Sequence, residues 1–208
     1  MQDNLVWIRI VEDEPAIRKL LMILVQSIGF SARAYESAEQ FMSDDCLTDP
    51  GCVLVDLGLK DVSGADLIAW ISRQPTPLPT IVVSGQGSIQ SAVECLKSGA
   101  VDFLEKPVDP ARLQVVVGEA VARNANDRVA SQRLAETRLR YAKLSNREQQ
   151  VLSFLAEGLS SKQIAAQLGL SSKTVEHHRA HVMQKMQSNS LAEVVKAYVS
   201  LGLNSDRQ

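Results

Sequence analysis

Short, almost continuous runs of apolar residues alternate with helical patterns through the first half of the chain. Strands are predicted at Val6–Val11, Ser31–Tyr35, Val53–Asp56, Thr80–Val83 and Val101–Leu104. Helices are predicted around them at Glu14–Ile28, Ser37–Ser43, Gly64–Arg73 and Ile89–Ser98. Strands that are apolar at consecutive positions are typical of a parallel sheet buried on both faces. The alternation predicts a doubly wound α/β domain with five parallel strands over residues 1–120.

The second half of the chain carries helical patterns alone. Asp109 followed by Pro110 predicts a helix start, with Asp as the N-cap and Pro in the first turn. Helical character continues through Arg123–Tyr141, which is poor in large apolar side chains. We interpret residues 121–142 as an exposed linker helix with a bend around Asn124-Ala125-Asn126. A flexible coil is the alternative for this stretch.

Residues 143–208 are predicted to form an all-α domain of four helices. Ser145 and Glu148 have the spacing of a capping box, in which each side chain satisfies a backbone amide of the other residue. Glycines at positions 158, 169 and 202 mark helix ends.

The net charge of −2 hides an asymmetry between these parts. Residues 1–120 hold 17 acidic and 9 basic side chains, whereas residues 121–208 hold 7 and 13. An acidic front half can hold a cation, and a basic back half can bind nucleic acid.

Other features exclude several classes of protein. No apolar run approaches the roughly 20 residues of a membrane span, and the N-terminus lacks the basic and apolar regions of a signal peptide. Cys46, Cys52 and Cys95 are odd in number and show no C-x-x-C spacing. These features predict reduced thiols in a cytoplasmic protein, with no membrane partner.

Polar side chains follow four of the predicted strands. Glu12-Asp13-Glu14 follow the first, Asp56 ends the third, Ser84 ends the fourth and Lys106 follows the fifth. Because the carboxyl ends of parallel strands meet at one edge, we expect these groups to share a crevice. Each group alone has an ordinary explanation, as a helix N-terminus, a turn residue or a loop.

Together these groups suit phosphoryl transfer to a carboxylate. Glu12, Asp13 and Asp56 would hold a hard divalent cation through oxygen. Asp56 would be the nucleophile, while Lys106 and Ser84 would bind phosphoryl oxygens.

Over about residues 5–120 the chain resembles the receiver domain of a two-component response regulator. The resemblance is carried by Val11-Glu12-Asp13-Glu14, Val53-Leu54-Val55-Asp56, Ser63-Gly64, Ser84-Gly85 and Asp102-Phe103-Leu104-Glu105-Lys106-Pro107. It implies the strand order 2-1-3-4-5, a cis bond between Lys106 and Pro107, and phosphorylation of Asp56 by a sensor histidine kinase.

The same resemblance implies the roles of the site residues. Mg²⁺ would be held by Glu12, Asp13, Asp56 and the carbonyl of Gly58. Ser84 and Lys106 would be switch residues, and Phe103 would be an aromatic that turns inward when Ser84 moves. An ordinary core aromatic at a strand end is the alternative for Phe103.

Two residues depart from the receiver pattern. Glu12 stands where the family more often has Asp, and its longer side chain would alter metal geometry or water-mediated contacts. Lys60 stands where Pro is usual, which predicts a less rigid loop. Gly58 and Gln86 occupy variable positions that, by analogy with the family, tune the lifetime of the phosphoryl group.

A helix-turn-helix pattern spans residues 161–186. Lys162–Leu168 is predicted as a short amphipathic helix, and a longer helix capped by Ser171 or Ser172 runs through Lys185. An outward face of the longer helix suits the major groove of DNA. That face carries Lys173, Thr174, Glu176, His177, Ala180, His181 and Gln184.

Over about residues 143–203 the chain resembles the LuxR-type helix-turn-helix. The matching residues are Leu144-Ser145-Asn146-Arg147-Glu148, Val151-Leu152, Ile164-Ala165 and Thr174-Val175-Glu176-His177-His178-Arg179. Receiver and LuxR-type domains together define the NarL/FixJ class, and this chain is similar to FixJ and to the StyR/TodT branch, which regulates aromatic-hydrocarbon breakdown. The class implies a homodimer on phosphorylation, double-stranded promoter DNA and RNA polymerase as partners, and activated transcription. Part of the helix Leu191–Leu203 would then be a dimer surface, unless its apolar face is plain core.

Base and phosphate contacts divide among the residues of the longer helix. Glu176, His177 and Ala180 fall at base-facing positions, where they suit cytosine, guanine and a thymine methyl. Lys173, Thr174, Arg179 and Lys185 are placed for phosphates. The alternative for Glu176 is an ion pair with Arg179 inside the domain. His178 is predicted to pack inside the domain, and the histidines lack the acidic or Cys companions of a metal site.

Alternative functions remain beside that of a phosphorylation-switched transcription factor. A phosphatase using Asp56 would need a second acid two residues on, where Gly58 stands. A pseudo-receiver would regulate transcription without phosphorylation, as the departures at Glu12 and Lys60 suggest. A sensor of small apolar ligands conflicts with the acidic strand ends.

Overall fold

The structure is a computed structural model that describes residues 5–85 and 89–203, without the side chains of residues 45, 46 and 89–92. It divides between Arg128 and Val129 into two compact units. Gln86 and the side chain of Cys46, both singled out from the sequence, lie outside the described part.

The first unit is an α/β fold built on a parallel sheet. Its strands are β1 (Trp7–Val11), β2 (Ser31–Tyr35), β3 (Gly51–Asp56), β4 (Thr80–Ser84) and β5 (Asp102–Glu105). Its helices are α1 (Pro15–Ser27), α2 (Ala38–Met42), α3 (Gly64–Ser72), α4 (Ile89–Lys97) and the start of α5 (Pro110–Tyr141), with a short 3₁₀ helix at Asp45–Thr48. The sheet order β2-β1-β3-β4-β5, with every neighbouring pair parallel, confirms the prediction.

The strands are apolar because helices cover both faces of the sheet. Every residue of β3 and of β4 is buried. One core cluster joins strand residues to α1 and α5, and another joins strand residues to α2 and α3. The register pairs Asp56 with Val83 and Ser84 with Glu105, so the carboxyl ends of β3, β4 and β5 lie side by side.

The strand β3 begins two residues before the predicted Val53. Gly51 has φ of 146°, and a Cβ there would lie 1.8 Å from the carbonyl oxygen of Trp7. Only glycine fits this approach of the strands. A glycine has no side chain to extend the apolar pattern, so the predicted strand began later than the observed one.

The stretch that was predicted as a linker helix is helical, and the alternative of a flexible coil is wrong. Helix α5 runs without interruption from Pro110 to Tyr141, and Asp109 caps it by accepting a hydrogen bond from the amide of Ala111. Asn124 is buried, and its Oδ1 accepts a hydrogen bond from the amide of Gly51 at 3.1 Å. This long-range contact outweighs the weak helix propensity of asparagine.

The second unit is all-helical, as predicted. After the end of α5 it comprises α6 (Asn146–Ala156), α7 (Ser161–Leu168), α8 (Ser172–Met186) and α9 (Leu191–Ser200). The capping box of Ser145 and Glu148 is present, and a second one joins Ser160 and Gln163. Helix α9 contributes Val194 and Tyr198 to the core and leaves Val199 exposed. Within the described residues, no helix is long and apolar enough to cross a membrane.

Candidate acidic site and nucleic-acid interface

Three carboxylates converge at the carboxyl edge of the sheet. Glu12 and Asp13 follow β1, and Asp56 ends the neighbouring strand β3. Each offers an oxygen within 4.8 Å of the oxygens of the other two. Glu12 and Asp56 are buried, whereas Asp13 is partly exposed. The sequence therefore correctly predicted that these acids lie together.

Lys106 bridges two of these carboxylates. Its Nζ lies 2.8 Å from Oε2 of Glu12 and 2.9 Å from Oδ1 of Asp56. Burial lowers the pKa of Lys106, but the hydrogen bonds to the two carboxylates outweigh it and the pKa lies above its usual value. The side chain is therefore an ammonium at neutral pH. The bond between Lys106 and Pro107 is cis, as the resemblance implied.

Burial of Glu12 in the cluster disfavours the charged form of its carboxyl. Burial raises the pKa of its carboxyl above the usual value, and the neighbouring Asp56 adds to the rise, while the hydrogen bond from Lys106 opposes it. An additional positive charge near Glu12, such as that of a bound cation, would stabilise the ionised form of this carboxyl. Because the cluster presents oxygen ligands alone, its chemistry fits a hard divalent cation.

Backbone and side-chain donors hold the cluster in place. The amide of Gly58 donates to Oδ2 of Asp56 at 3.1 Å, and the amide of Glu14 donates to Oε1 of Glu12 at 3.2 Å. Arg18 donates through Nη1 to the carbonyl oxygens of Glu12 and Asp13, at 2.7 and 3.1 Å. The role of Arg18 was missed, although its place one turn into α1 was a signal.

An open crevice of about 470 Å³ lies beside Asp56. It is lined by Glu14, Ile17, Asp56, Leu57, Gly58, Ser84, Gly85 and Lys106. The crevice thus brings Ser84 to the same space as Asp56 and Lys106, as the strand ends predicted. Phe103, one strand further along, is half-buried and packs against the cluster of Ile68, Val82, Cys95 and Ala100.

Lys60 makes a contact that the sequence did not predict. Its Nζ lies 2.8 Å from Oδ2 of Asp13, while its side chain is 85% exposed. Every carboxylate of the trio therefore has an ammonium beside it.

In the second unit, α8 presents an outward face. Helix α7 ends at Gly169 in a left-handed conformation, and Ser171 caps α8 by accepting from the amide of Thr174. Thr174 is half-buried, and its hydroxyl is hydrogen-bonded to that of Ser171 at 2.8 Å. The side chains of Lys173, Glu176, His177 and Ala180 are exposed along α8.

Arg179 joins α8 to α7. Its Nη1 donates to Oγ of Ser161 at 2.7 Å and to Oε1 of Glu176 at 2.8 Å. The structure therefore contains the ion pair that was the alternative for Glu176. The Ser161 hydroxyl and the Arg179 guanidinium together hold the pKa of Glu176 below its usual value, so Glu176 is an anion at neutral pH.

Lys185 and His181 face the buried Glu148. The Nζ of Lys185 lies 2.6 Å from Oε2 of Glu148, and Nδ1 of His181 lies 3.6 Å from Oε1. Burial raises the pKa of Glu148, but the hydrogen bonds from Lys185 and Ser145 outweigh it and the pKa lies below its usual value. The ammonium of Lys185, which was predicted to contact phosphate, is thus engaged inside the unit.

The three histidines of α8 do not gather metal ligands. Nδ1 of His178 is buried, which agrees with its predicted packing inside the domain, and the rings of His177 and His181 lie 4.2 Å apart. Among the residues that the structure describes, only Glu12, Asp13 and Asp56 form a group of three or more metal-ligating side chains.

Known proteins resemble both units. Residues 8–118 match the family of the response regulator receiver domain, and residues 142–198 match the bacterial regulatory proteins of the luxR family. Transcriptional regulatory protein FixJ of Bradyrhizobium diazoefficiens is 37% identical over 200 residues, which is 96% of this chain and 97% of that protein. Response regulator protein TodT of Pseudomonas putida is 35% identical over 196 residues, or 94% and 86% of the two chains.

Two solved structures also resemble the chain. That of the response regulator StyR matches with a TM-score of 0.79 and 30% identity, covering 93% of this chain and 98% of that one. Full-length FixJ from B. japonicum matches with a TM-score of 0.57 and 35% identity, covering 95% and 98%.

Proposed function

The chain belongs to the transcriptional response regulators that join a receiver to a LuxR-type DNA-binding domain, and from this we propose that phosphorylation of Asp56 controls its binding to promoter DNA. Phosphorylation-dependent activation is the general mechanism of such regulators. The observation that carries the proposal is the position of Asp56, hydrogen-bonded to Lys106 and Gly58 at the edge of an open crevice.

In the proposed transfer, a carboxylate oxygen of Asp56 attacks the phosphorus of a phosphohistidine on a sensor kinase. The phosphorus–nitrogen bond breaks as the phosphorus–oxygen bond forms, and the imidazole takes up a proton. Lys106 then binds a phosphoryl oxygen in place of its contact with Asp56. A divalent cation held by Glu12, Asp13, Asp56 and the carbonyl of Gly58 would supply charge neutralisation at this point.

We propose that phosphorylation is passed on through Ser84 and Phe103. The Ser84 hydroxyl, which lines the same crevice as Asp56, would donate a hydrogen bond to the phosphoryl group. Phe103, half-buried at the margin of its cluster, would turn inward when Ser84 moves. The exposed Val93 and Leu96 on α4 give an apolar surface on which a homodimer can form.

DNA binding is assigned to the outward face of α8. Glu176, an anion fixed by Arg179, is suited to accept from a cytosine amine, and His177 and Ala180 lie beside it on the exposed face. Lys173 and Thr174 lie at the start of the helix, where phosphate contacts are common. Linking two such units in a dimer raises the affinity for paired half-sites.

The proposal also covers the partner protein, the effect on transcription and the location in the cell. We propose contact with RNA polymerase, activation of transcription, and a cytoplasmic location, which the unpaired thiols of Cys52 and Cys95 support. FixJ and TodT are similar to this chain to almost the same degree, so regulation of aromatic-hydrocarbon genes stays a prediction.

Intact-mass measurement after incubation with Mg²⁺ and acetyl phosphate tests the proposal. The chain should gain one phosphoryl group, the Asp56→Ala variant should gain none, and Asp127→Ala, which removes an exposed acid on α5, should match the unaltered chain. Phosphorylated chain should then dimerise and bind selected DNA more tightly. No gain from acetyl phosphate or from a cognate kinase, with the fold intact, would favour the pseudo-receiver.

A further inference from the structure

Lys60 places an exposed ammonium beside one of the three carboxylates that would hold the cation. Its Nζ is 2.8 Å from Oδ2 of Asp13. We infer that Lys60 competes with the divalent cation for Asp13, and so lowers the cation affinity of the unphosphorylated receiver. The inference rests on the proposed function, because it concerns the regulation of the same site.

The two lysines at the site differ in how firmly they are held. Lys106 is largely buried and contacts two carboxylates, Glu12 and Asp56. Lys60 is 85% exposed and contacts Asp13 alone. Exposed ion pairs are weak, so a cation can displace the Lys60 ammonium, and the long side chain can swing into solvent. Lys60 therefore tunes the site without closing it.

The formal charges at the site show why Lys60 should weaken cation binding. The three carboxylates and two ammoniums carry one net negative charge, which would be two if Lys60 were uncharged. A divalent cation is attracted less strongly to the smaller charge. The cation must also replace the hydrogen bond between Lys60 and Asp13.

The positive charge of Lys60, which disfavours the cation, should favour the anionic phosphoryl group. With a dianionic phosphoryl group on Asp56 and a divalent cation bound, the two lysines bring the site to neutrality. Without the charge of Lys60, one negative charge would remain. Lys60 should therefore weaken cation binding and favour the anionic phosphodonor. A residue that only loosened the loop would not act on the two ligands in opposite directions.

Isothermal titration of the full-length, unphosphorylated chain with Mg²⁺ tests this inference. Lys60→Gln removes the charge, and Lys60→Arg keeps it. Lys97→Gln is the matched control, since Lys97 ends α4 near the amino edge of the sheet and is also exposed. We expect Lys60→Gln to bind Mg²⁺ about twofold to fivefold more tightly, within the range of exposed ion pairs, and both other variants to match the unaltered chain.

Two further measurements separate charge from loop structure. The advantage of Lys60→Gln should shrink at high ionic strength, because salt screens exposed charges. At saturating Mg²⁺, Lys60→Gln should need a higher concentration of acetyl phosphate for half-maximal phosphorylation.

The outcomes are distinct. If the unaltered chain and Lys60→Gln bind Mg²⁺ with the same dissociation constant, the inference is wrong and the proposed function stands. Binding that is detectable in Lys60→Gln alone supports the inference in its strongest form. If no variant binds Mg²⁺ and none is phosphorylated, the proposed cation site and phosphoacceptor fail together.

Discussion

The ammonium of Lys106 lies between two buried carboxylates, 2.8 Å from Oε2 of Glu12 and 2.9 Å from Oδ1 of Asp56. Removing it leaves both acids in the cluster without that partner. We expect Lys106→Met to lower the free energy of unfolding of the first unit by about 2 kcal/mol at neutral pH, less than for a fully buried pair because the crevice admits water. Urea unfolding followed by tryptophan fluorescence measures this, since both tryptophans, Trp7 and Trp70, lie in the first unit.

The pH dependence of this difference follows from two pKa shifts. The raised pKa of Lys106 means that its stabilising effect is complete below its unfolded pKa and is lost only as the pH rises through the folded value. The raised pKa of Glu12 means that acidification relieves the charge left unpaired in Lys106→Met. The difference should thus persist from neutral to mildly alkaline pH and shrink as the pH falls through the raised pKa of Glu12. Lys97→Met should show no such pattern; an equal loss there would contradict this account.

Asn124 connects helix α5 to the start of β3 through a hydrogen bond. Its Oδ1 accepts the hydrogen bond of the Gly51 amide, and both groups are buried. Asn124→Ala would leave that amide without its partner, at a cost of about 1–3 kcal/mol. Urea unfolding followed by the same tryptophan fluorescence should show the loss, whereas Asn126→Ala, at an exposed position two residues on, should leave the midpoint unchanged. Equal midpoints for the two variants would show that the contact does not stabilise the unit.

The arrangement of the sheet and the meeting of its acids were predictable because their signals are local. Runs of valine and isoleucine mark strands buried on both faces, and parallel strands share a carboxyl edge. Glu12, Asp13 and Asp56 therefore had to lie together once their strands were neighbours. The helices of the second unit were predictable for the same reason, because serine and glycine residues mark their ends.

The pairs that the sequence did not predict join residues far apart in the chain. Asn124 and Gly51 are separated by 73 positions, and Arg179 and Ser161 by 18. Lys60 carried a signal only as a departure from a pattern, and nothing in its neighbours indicated Asp13 as a partner. Polar contacts of this kind depend on side-chain reach after folding, which periodicity and propensity do not encode.

Glu148 ties α6 to α8 through Lys185. The lowered pKa of its carboxyl means that the stabilisation is present above the unfolded pKa and is lost as the pH falls through the folded value. Glu148→Gln should keep the capping contact with Ser145 and lose the ion pair, which costs about 1 kcal/mol because Lys185 is partly exposed.

Hydrogen exchange in α6 and α8 measures this change in the second unit. Protection should fall in Glu148→Gln at neutral pH, and the difference from the unaltered chain should disappear as the pH falls through the lowered pKa of Glu148 and its carboxyl is protonated. Glu157→Gln, at an exposed position after α6, is the control. A difference that persists in acid would assign the effect to packing.

Lys173 and His177 should affect DNA binding in different ways, although both are exposed on α8. Lys173→Gln removes the proposed phosphate contact, so affinity should fall for all sequences and the slope of log affinity against log salt should decrease by about 1. His177→Ala removes the proposed base contact, so it should reduce discrimination at one base pair by about 1 kcal/mol and leave the salt slope unchanged. Fluorescence anisotropy on sites selected in vitro, and on single-base variants of them, separates the two effects. Lys196→Gln, which removes an exposed charge from α9, should change neither; a lower salt slope in that variant would show that the DNA contacts extend beyond α8.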